Sequence, residues 1–505
     1  MTMKRLVAIT IISALMFFTL QPSSAPRANL QERTLQDEII YDILVDRFNN
    51  GRQAPSEQVD LNDPYAYYGG DIYGVTKMLD SLMEHGFTTV SLSPIMENAP
   101  KGYHGYWIED FYAIEEEFGT IEDVRELVEE AHERDMKVML ELVINYVAKS
   151  SPLVEEHPDW FEEVTAEPTD STYWLEDVYQ FDHENEDVQQ FLLDVATFWQ
   201  EEAGVDGFVL HAADESDPLF VERLVHEVKE ADPTFYVIAT SLQGDGDLSA
   251  IHAIEEIDAV ANEELFQALN DVLIKPDEPI SILVEKSEQL ADHRYVNYVD
   301  NMNVARFSNN FAEQGRNMET TWKLALSYLY LMPGVPIVYQ GSEVPMYGPG
   351  FPANQMFVDF VSANPDLKKV YERTAALRKQ FPSFVHGDFE VVAENEGMSL
   401  IKRSYDGETV YLAMNNDAHS RTVTIGGIDD SMQLKGLLHD DTVRANENGE
   451  FLIGMERESV EVFVIQPNVG FNWGFISFVG IVFLIFIGFI VYLSRKQKKR
   501  EAENK

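Results

Sequence analysis

The chain predicts an α/β protein: a (β/α)8 TIM barrel with a short inserted subdomain, then a C-terminal β-sandwich and one C-terminal transmembrane helix. Three observations carry that expectation. From Asp37 to Phe381, short β-like runs alternate with amphipathic helical runs, as in a parallel sheet wrapped by helices. Beyond Phe381 helical periodicity stops and short alternating strands follow. Near the end, Asn472 to Leu493 carries no charge.

Residues 1–28 read as a secretory signal: Lys4 and Arg5 precede the apolar run Leu6 to Leu20 and a small-residue stretch ending Ala25-Pro26-Arg27-Ala28. Pro26 blurs the cleavage point, so an uncleaved anchor is the alternative. The barrel is expected over 29–381. Its strands fall near Ile39 to Val45, Thr88 to Leu92, Val138 to Val143, Val205 to His211, Phe235 to Ala239, Ile257 to Asn262, Tyr295 to Val299 and Pro336 to Tyr339. The clearest helices are Ile121 to Asp135, Val188 to Ala203, Pro218 to Ala231, Met318 to Leu331 and Leu367 to Phe381. The segment 146–187, rich in Pro, Trp and acidic residues, reads as the inserted subdomain. A β-sandwich over 382–467 follows from strands near Phe389 to Val392, Ser399 to Ser404, Thr409 to Met414, Thr422 to Ile425 and Val460 to Ile465. At about 1.5 Å per residue, 472–493 spans roughly 33 Å, enough for a bilayer. The basic tail 494–505, with Arg495, Lys496, Lys498, Lys499 and Arg500, reads as cytoplasmic. The expectation is a single-pass cell-membrane protein with an extracytoplasmic main body.

Composition narrows the function. Asp+Glu at 87 against Lys+Arg at 37 leaves a net charge of -50, which excludes nucleic acid as a partner of the main body. With no cysteine, disulfides, thiolate nucleophiles and thiolate metal sites are excluded. A length of 505 residues with 45% hydrophobic content fills two or three cores.

Several separate stretches then point one way. Ile40-Tyr41-Asp42-Ile43-Leu44-Val45-Asp46-Arg47-Phe48 and Tyr68-Gly69-Gly70-Asp71-Ile72-Tyr73-Gly74-Val75 come first. Tyr103-His104-Gly105-Tyr106-Trp107 follows with Asp110, Phe118-Gly119-Thr120 and Asp123, and Gly334-Val335-Pro336-Ile337-Val338-Tyr339-Gln340-Gly341-Ser342-Glu343 closes the series. This ordered set, over nearly all of Asp37 to Pro467, resembles the α-amylase family, glycoside hydrolase family thirteen. The resemblance implies a retaining glycosidase barrel whose fourth strand reads Asp-Gly-Phe-Arg-x-Asp, the Arg and the nucleophilic Asp pointing into the mouth. Here Asp206-Gly207-Phe208-Val209-Leu210-His211 puts Val209 and His211 at those positions. The fifth strand, ending Ala239-Thr240, matches a pattern ending Gly-Glu, so Thr240 stands at the acid/base position. Asp300-Asn301-Met302-Asn303 matches Asp-Asn-His-Asp, putting Met302 and Asn303 at the His-Asp pair, and Asn145-Tyr146 matches Asn-His.

Retaining hydrolysis needs a carboxylate nucleophile and a carboxylic acid about 5 Å apart, so no catalytic set is intact at His211, Thr240 and Asn303. An Arg left beside a missing buried carboxylate costs roughly 3–5 kcal/mol, so Val209 for Arg accompanies His211 for Asp. Asp214 and Glu215, just past His211, read as helix-capping groups rather than nucleophiles. The resemblance implies sugar contacts from His104, Tyr106 and Trp107; simple packing of the mouth is the alternative. It also implies calcium, held by Asn145 with Gln180 at a family Asp position, and by Asn50, Asn62, Asp63 and Asp71 in the loop after strand one. Asn and Asp are equally ordinary turn residues. The expected function is a catalytically inactive, cell-surface-tethered, α-amylase-like protein of α-glucan metabolism. It would bind α-glucan or maltooligosaccharide, or serve an active amylase or a transporter as partner. An α-glucan hydrolase or transferase using displaced groups, and a purely structural surface protein, are the alternatives.

Overall fold

The computed structural model describes residues 33–52, 58–244, 246–290, 292–468 and 473–503; the expected signal segment lies outside them. Eight strands form a closed parallel barrel in chain order: β1 (Ile40–Ile43), β2 (Thr89–Leu92), β3 (Lys137–Val143), β4 (Gly207–His211), β5 (Tyr236–Ala239), β6 (Ala259–Ala261), β7 (Tyr295–Asn297) and β8 (Val335–Tyr339). Pairing of Ile40 with Ile337 closes the ring. All eight expected strands are present, most of them shorter. In β6 the cause is visible. The Asp258 carboxylate accepts the Val237 N–H and Lys229, and Asn262 leaves the strand to cap the next helix through the Leu265 N–H.

Helices α1 (Ile72–Glu84), α2 (Ile121–Glu133), α3 (Glu186–Phe198), α4 (Pro218–Ala231), α5 (Glu263–Leu273), α6 (Met318–Leu331) and α7 (Pro365–Gln380) surround the barrel. Their starts follow capping chemistry: Thr120 with Asp123 forms a capping box for α2, and Asp217 and Asn364 cap α4 and α7 ahead of Pro218 and Pro365. The expected continuous helix Val188 to Ala203 instead ends at Phe198 and widens into a π-turn over Trp199–Ala203. Trp199 is tied there to the Phe111 carbonyl at 2.9 Å, and Gly204 ends the turn with φ 70.

Strand alternation decides what the mouth contains. Tyr41, Leu140, Phe208, Leu210 and Val237 face outward into the helix layer, whereas Ile40, Met139 and Ile238 face inward as an apolar floor. Two residues further along the inward faces come Asp42, Glu141 and Thr240, with Val209 and His211 on β4. The same periodicity that builds the core therefore delivers polar groups to the C-terminal rim.

The segment after β3 forms a three-stranded sheet from Tyr146–Ala148, Phe161–Glu162 and Val178–Phe181, with a helical turn at Tyr173–Asp177. Beyond α7 stand β9 (Asp388–Asn395), β10 (Met398–Tyr405), β11 (Glu408–Asn415), β12 (Arg421–Ile425), β13 (Met432–Gly436), β14 (Thr442–Arg444), β15 (Phe451–Met455) and β16 (Ser459–Pro467). They make a six-stranded sheet, ordered β9-β10-β11-β16-β13-β14, and the pair β12-β15, packed around Leu400, Phe451, Ile453 and Phe463. Helix α8 (Trp473–Glu503) closes the chain. Its stretch Ser477–Gln497 is long and apolar enough to cross a membrane. The basic residues past Leu493 continue that same helix.

Candidate functional site

At the C-terminal mouth, the histidine in the fourth strand meets a carboxylate from the third. His211 Nδ1 lies 2.7 Å from Glu141 Oε1, and the Tyr106 hydroxyl donates to the same oxygen at 3.0 Å. An ionised carboxylate only accepts, so both neighbours act as donors and His211 carries its proton on Nδ1. Glu141 is in register with Val209, so no arginine reaches it from β4 and the imidazole supplies the polar partner instead.

Aromatic rings wall this arrangement. Tyr106 packs on His211 at 4.4 Å between centroids and on Trp174, from the inserted segment, at 4.6 Å; Trp174 also meets Tyr146 at 5.4 Å. His104, Tyr106, Tyr146, Trp174 and His211 are each 4% exposed or less. Of the three expected sugar-contact residues, His104 and Tyr106 are thus closed into the wall and only Trp107 is part-exposed, its Nε1 donating to the Trp174 carbonyl at 2.9 Å. His104 accepts the Tyr106 N–H on Nδ1, and burial, reinforced by Arg47, pushes it down to about 3, so it stays neutral.

Thr240 donates to the Leu210 carbonyl at 3.2 Å, and the Asn303 N–H to Asn301 Oδ1 at 2.8 Å. Met302 Sδ lies 3.4 Å from the Tyr106 hydroxyl oxygen, and the Met302 carbonyl is held by Asn354 and Gln355. The β7 loop is pinned by Asp300, which accepts the Phe307 N–H at 2.9 Å. Arg306 lies over the Tyr339 ring and donates to the Asn354 carbonyl. The hollow left beside the ring wall is bordered by the inward faces of Asp42, Glu141, Val209, Thr240, Ala261 and Ile337, all part-exposed.

Two of those residues were not singled out from the sequence. Glu141 and Asp42 are carboxyl groups turned into one hollow, and strand alternation from Met139 and Ile40 is the signal that would have found them. Asp42 lies deep but keeps part of its surface open. Burial first, then the charge of Glu141, pushes it up to about 7. Trp174 carried no such signal, since its role depends on how the inserted segment folds back.

Asp214 and Glu215 do not cap the following helix as expected, since Asp217 does so. Asp214 accepts the Leu242 N–H at 2.9 Å, and Glu215 lies on a short helical turn with its carbonyl bonded by Gln180. The calcium expectation meets a similar obstacle. Asn145 donates its amide N–H groups to the His211 and Ala212 carbonyls and accepts the Ser216 hydroxyl on Oδ1, while Gln180 brings an amide where a carboxylate would be needed. In the other loop Asp71 accepts the Gly51, Arg52 and Gly74 N–H groups as a helix cap. Asp63 pairs with Lys101 at 2.8 Å, and Asn62 turns back on Asp60. Asn50 lies in the same loop, but its neighbours are committed; these residues do not fit a calcium ion.

Residues 42–176 match the family described as "Alpha amylase, catalytic domain", and residues 387–463 the "Alpha-amylase C-terminal domain". Among solved structures, an Anoxybacillus α-amylase is 35% identical with a TM-score of 0.80, covering 87% of this chain and 100% of that one. A cyclomaltodextrinase from a Bacillus species is 28% identical over 428 residues, 77% of this chain and 74% of that protein. A β/α-amylase of Paenibacillus polymyxa is 26% identical over 464 residues, 84% of this chain but 37% of that protein, so the chain spans little more than a third of that relative's length.

Proposed function

The chain belongs to the α-amylase family of glycoside hydrolases, and we propose that it is a non-catalytic member tethered to the cell membrane, holding α-glucan near the surface or presenting it to a partner. One observation carries this reading: His211, which the motif resemblance sets at the nucleophile position, is engaged by Glu141 and walled by Tyr106 and Trp174, while Thr240 and Asn303 bring no carboxyl group. An oxocarbenium-like state there meets an imidazole, a hydroxyl and an amide at the three matched positions, and no carboxylate nucleophile. Sugar contact then falls to the rim, where part-exposed Trp107 adjoins Tyr173, and Tyr173 adjoins Tyr65 and Phe351 at 5.3 Å each. Tethering rests on the apolar span of α8 and the basic residues after it.

A second reading has its own observation. Asp42 and Glu141 share the open hollow, one pushed up to about 7, which is the acid and base pairing a displaced hydrolase or transferase would need. Full-length protein in detergent, assayed for starch and maltooligosaccharide turnover beside Glu141→Gln, separates the two. No turnover with calorimetric heat from maltooligosaccharide is expected; turnover abolished by Glu141→Gln would establish the displaced enzyme instead. Absence of both heat and turnover in folded protein would leave a structural surface protein.

A further inference from the structure

Away from the mouth, a pocket of about 230 Å³ lies between α6, α7 and the loop after β13, lined by Lys323, Ser327, Lys369, Arg373 and His439 together with Glu319 and Asp366. Three cations converge here in a chain whose acidic residues outnumber its basic ones by more than two to one. Lys369 is paired with Asp366 at 2.8 Å. The other two cations have neutral partners: Lys323 donates to His439 Nε2 at 2.8 Å and Arg373 to the Leu438 carbonyl at 3.2 Å. His439 Nδ1 faces Glu461 at 3.1 Å, so the imidazole stands between the ammonium and that carboxylate, and no carboxylate oxygen pairs directly with Lys323 among the described residues. Glu461 is itself saturated by the Leu437, Leu438, His439 and Val462 N–H groups.

A second observation points to a ligand. Ser327 is fully buried in α6, and its hydroxyl has no hydrogen-bond partner. A helical serine ordinarily bonds back to the carbonyl one turn earlier, so a sealed, unbonded hydroxyl at the pocket wall is a donor without its acceptor. Burial lowers the Lys323 ammonium, with Glu461 and Glu319 opposing the shift. An anion in the pocket would oppose it further.

We propose that this pocket binds a small phosphate-bearing anion, its oxygens received by Lys323, Arg373 and the Ser327 hydroxyl, at the junction of the barrel with the C-terminal sheets. The volume admits a phosphate with a small organic body. The guanidinium offers paired donors to phosphate oxygens, and the ammonium a point charge. Because α6 and α7 belong to the barrel and Leu438 to the sheet region, occupancy would brace one against the other.

Calorimetry of the full-length protein in detergent, titrated with inorganic phosphate at fixed ionic strength, tests this. Saturable heat is expected, weakened about tenfold or more by Arg373→Gln and less by Ser327→Ala, as loss of one charge-assisted and one neutral donor. Glu319→Gln should tighten binding by removing the competing carboxylate. Glucose 6-phosphate as a second titrant distinguishes free phosphate from an ester; saturable binding of either that depends on Arg373 supports the site. No heat in folded protein, equal displacement by chloride, or affinity unchanged in both Arg373→Gln and Ser327→Ala would overturn it.

Discussion

The two ends of the barrel treat a buried carboxyl group in opposite ways. At the foot, Glu38 is fully buried but faces the Arg33 guanidinium at 3.2 Å and accepts from Tyr236 and Thr89 at 3.0 Å each. At the mouth, Asp42 faces the hollow with Glu141 as its charged neighbour. Burial pushes both carboxyl groups up; at the foot Arg33 then pulls back, and at the mouth Glu141 pushes further. The foot answers the buried Glu38 with one cation and two hydroxyl donors. The mouth keeps electrostatic tension between Asp42 and Glu141.

That contrast can be broken at the foot first. Arg33→Met strands Glu38 without its cation and should cost about 3–5 kcal/mol in chemical denaturation, the largest effect expected here. The mouth should respond with the opposite sign. Asp42 has a folded pKa near 7, above its unfolded value, so its stabilising contribution is complete below about pH 4 and is lost as pH rises through 7. Asp42→Asn should therefore match the parent at low pH and exceed it at pH 8 by on the order of 2 kcal/mol, the open face of the carboxyl tempering the gain. Denaturation at both pH values checks this, and equal stabilisation at both would refute the coupling. Some slope will remain, because burial also raises Glu343 to about 7. His211→Phe removes one of the two donors to Glu141 and should cost about 1–3 kcal/mol, read as a lowered denaturation midpoint. Thr240→Val loses only its bond to the Leu210 carbonyl and should change stability by about 0.5–1 kcal/mol with no change in any turnover.

Much of the barrel was legible because its signals are local. Alternation over Ile40–Ile43 or Gly207–His211 specifies inward and outward faces, and Pro218 after Asp217 marks a helix start without reference to anything distant. Where expectation and structure part, a neighbour intervenes. Asn262 leaves β6 to cap α5, and Gly204 ends the turn that Trp199 holds open. Asn145 and Asp71, expected at calcium sites, likewise have the residue types of a metal shell but are engaged by carbonyl, hydroxyl and N–H groups of the chain.

At the site the division is sharper. Reading residues in order is enough to set His211, Thr240 and Asn303 against the family's motifs, because motif register is one-dimensional. Which carboxylate His211 meets is not. Glu141 lies 70 residues away, and Tyr106 reaches Met302 across 196, contacts that exist only once the ring of strands closes. The chain by itself determined the order of strands; folding alone decided that Trp174 covers the histidine, that Asp42 and Glu141 share a hollow, and that Lys323, Arg373 and Ser327 converge. Periodicity is written into neighbouring residues, whereas electrostatics depends on distances through space.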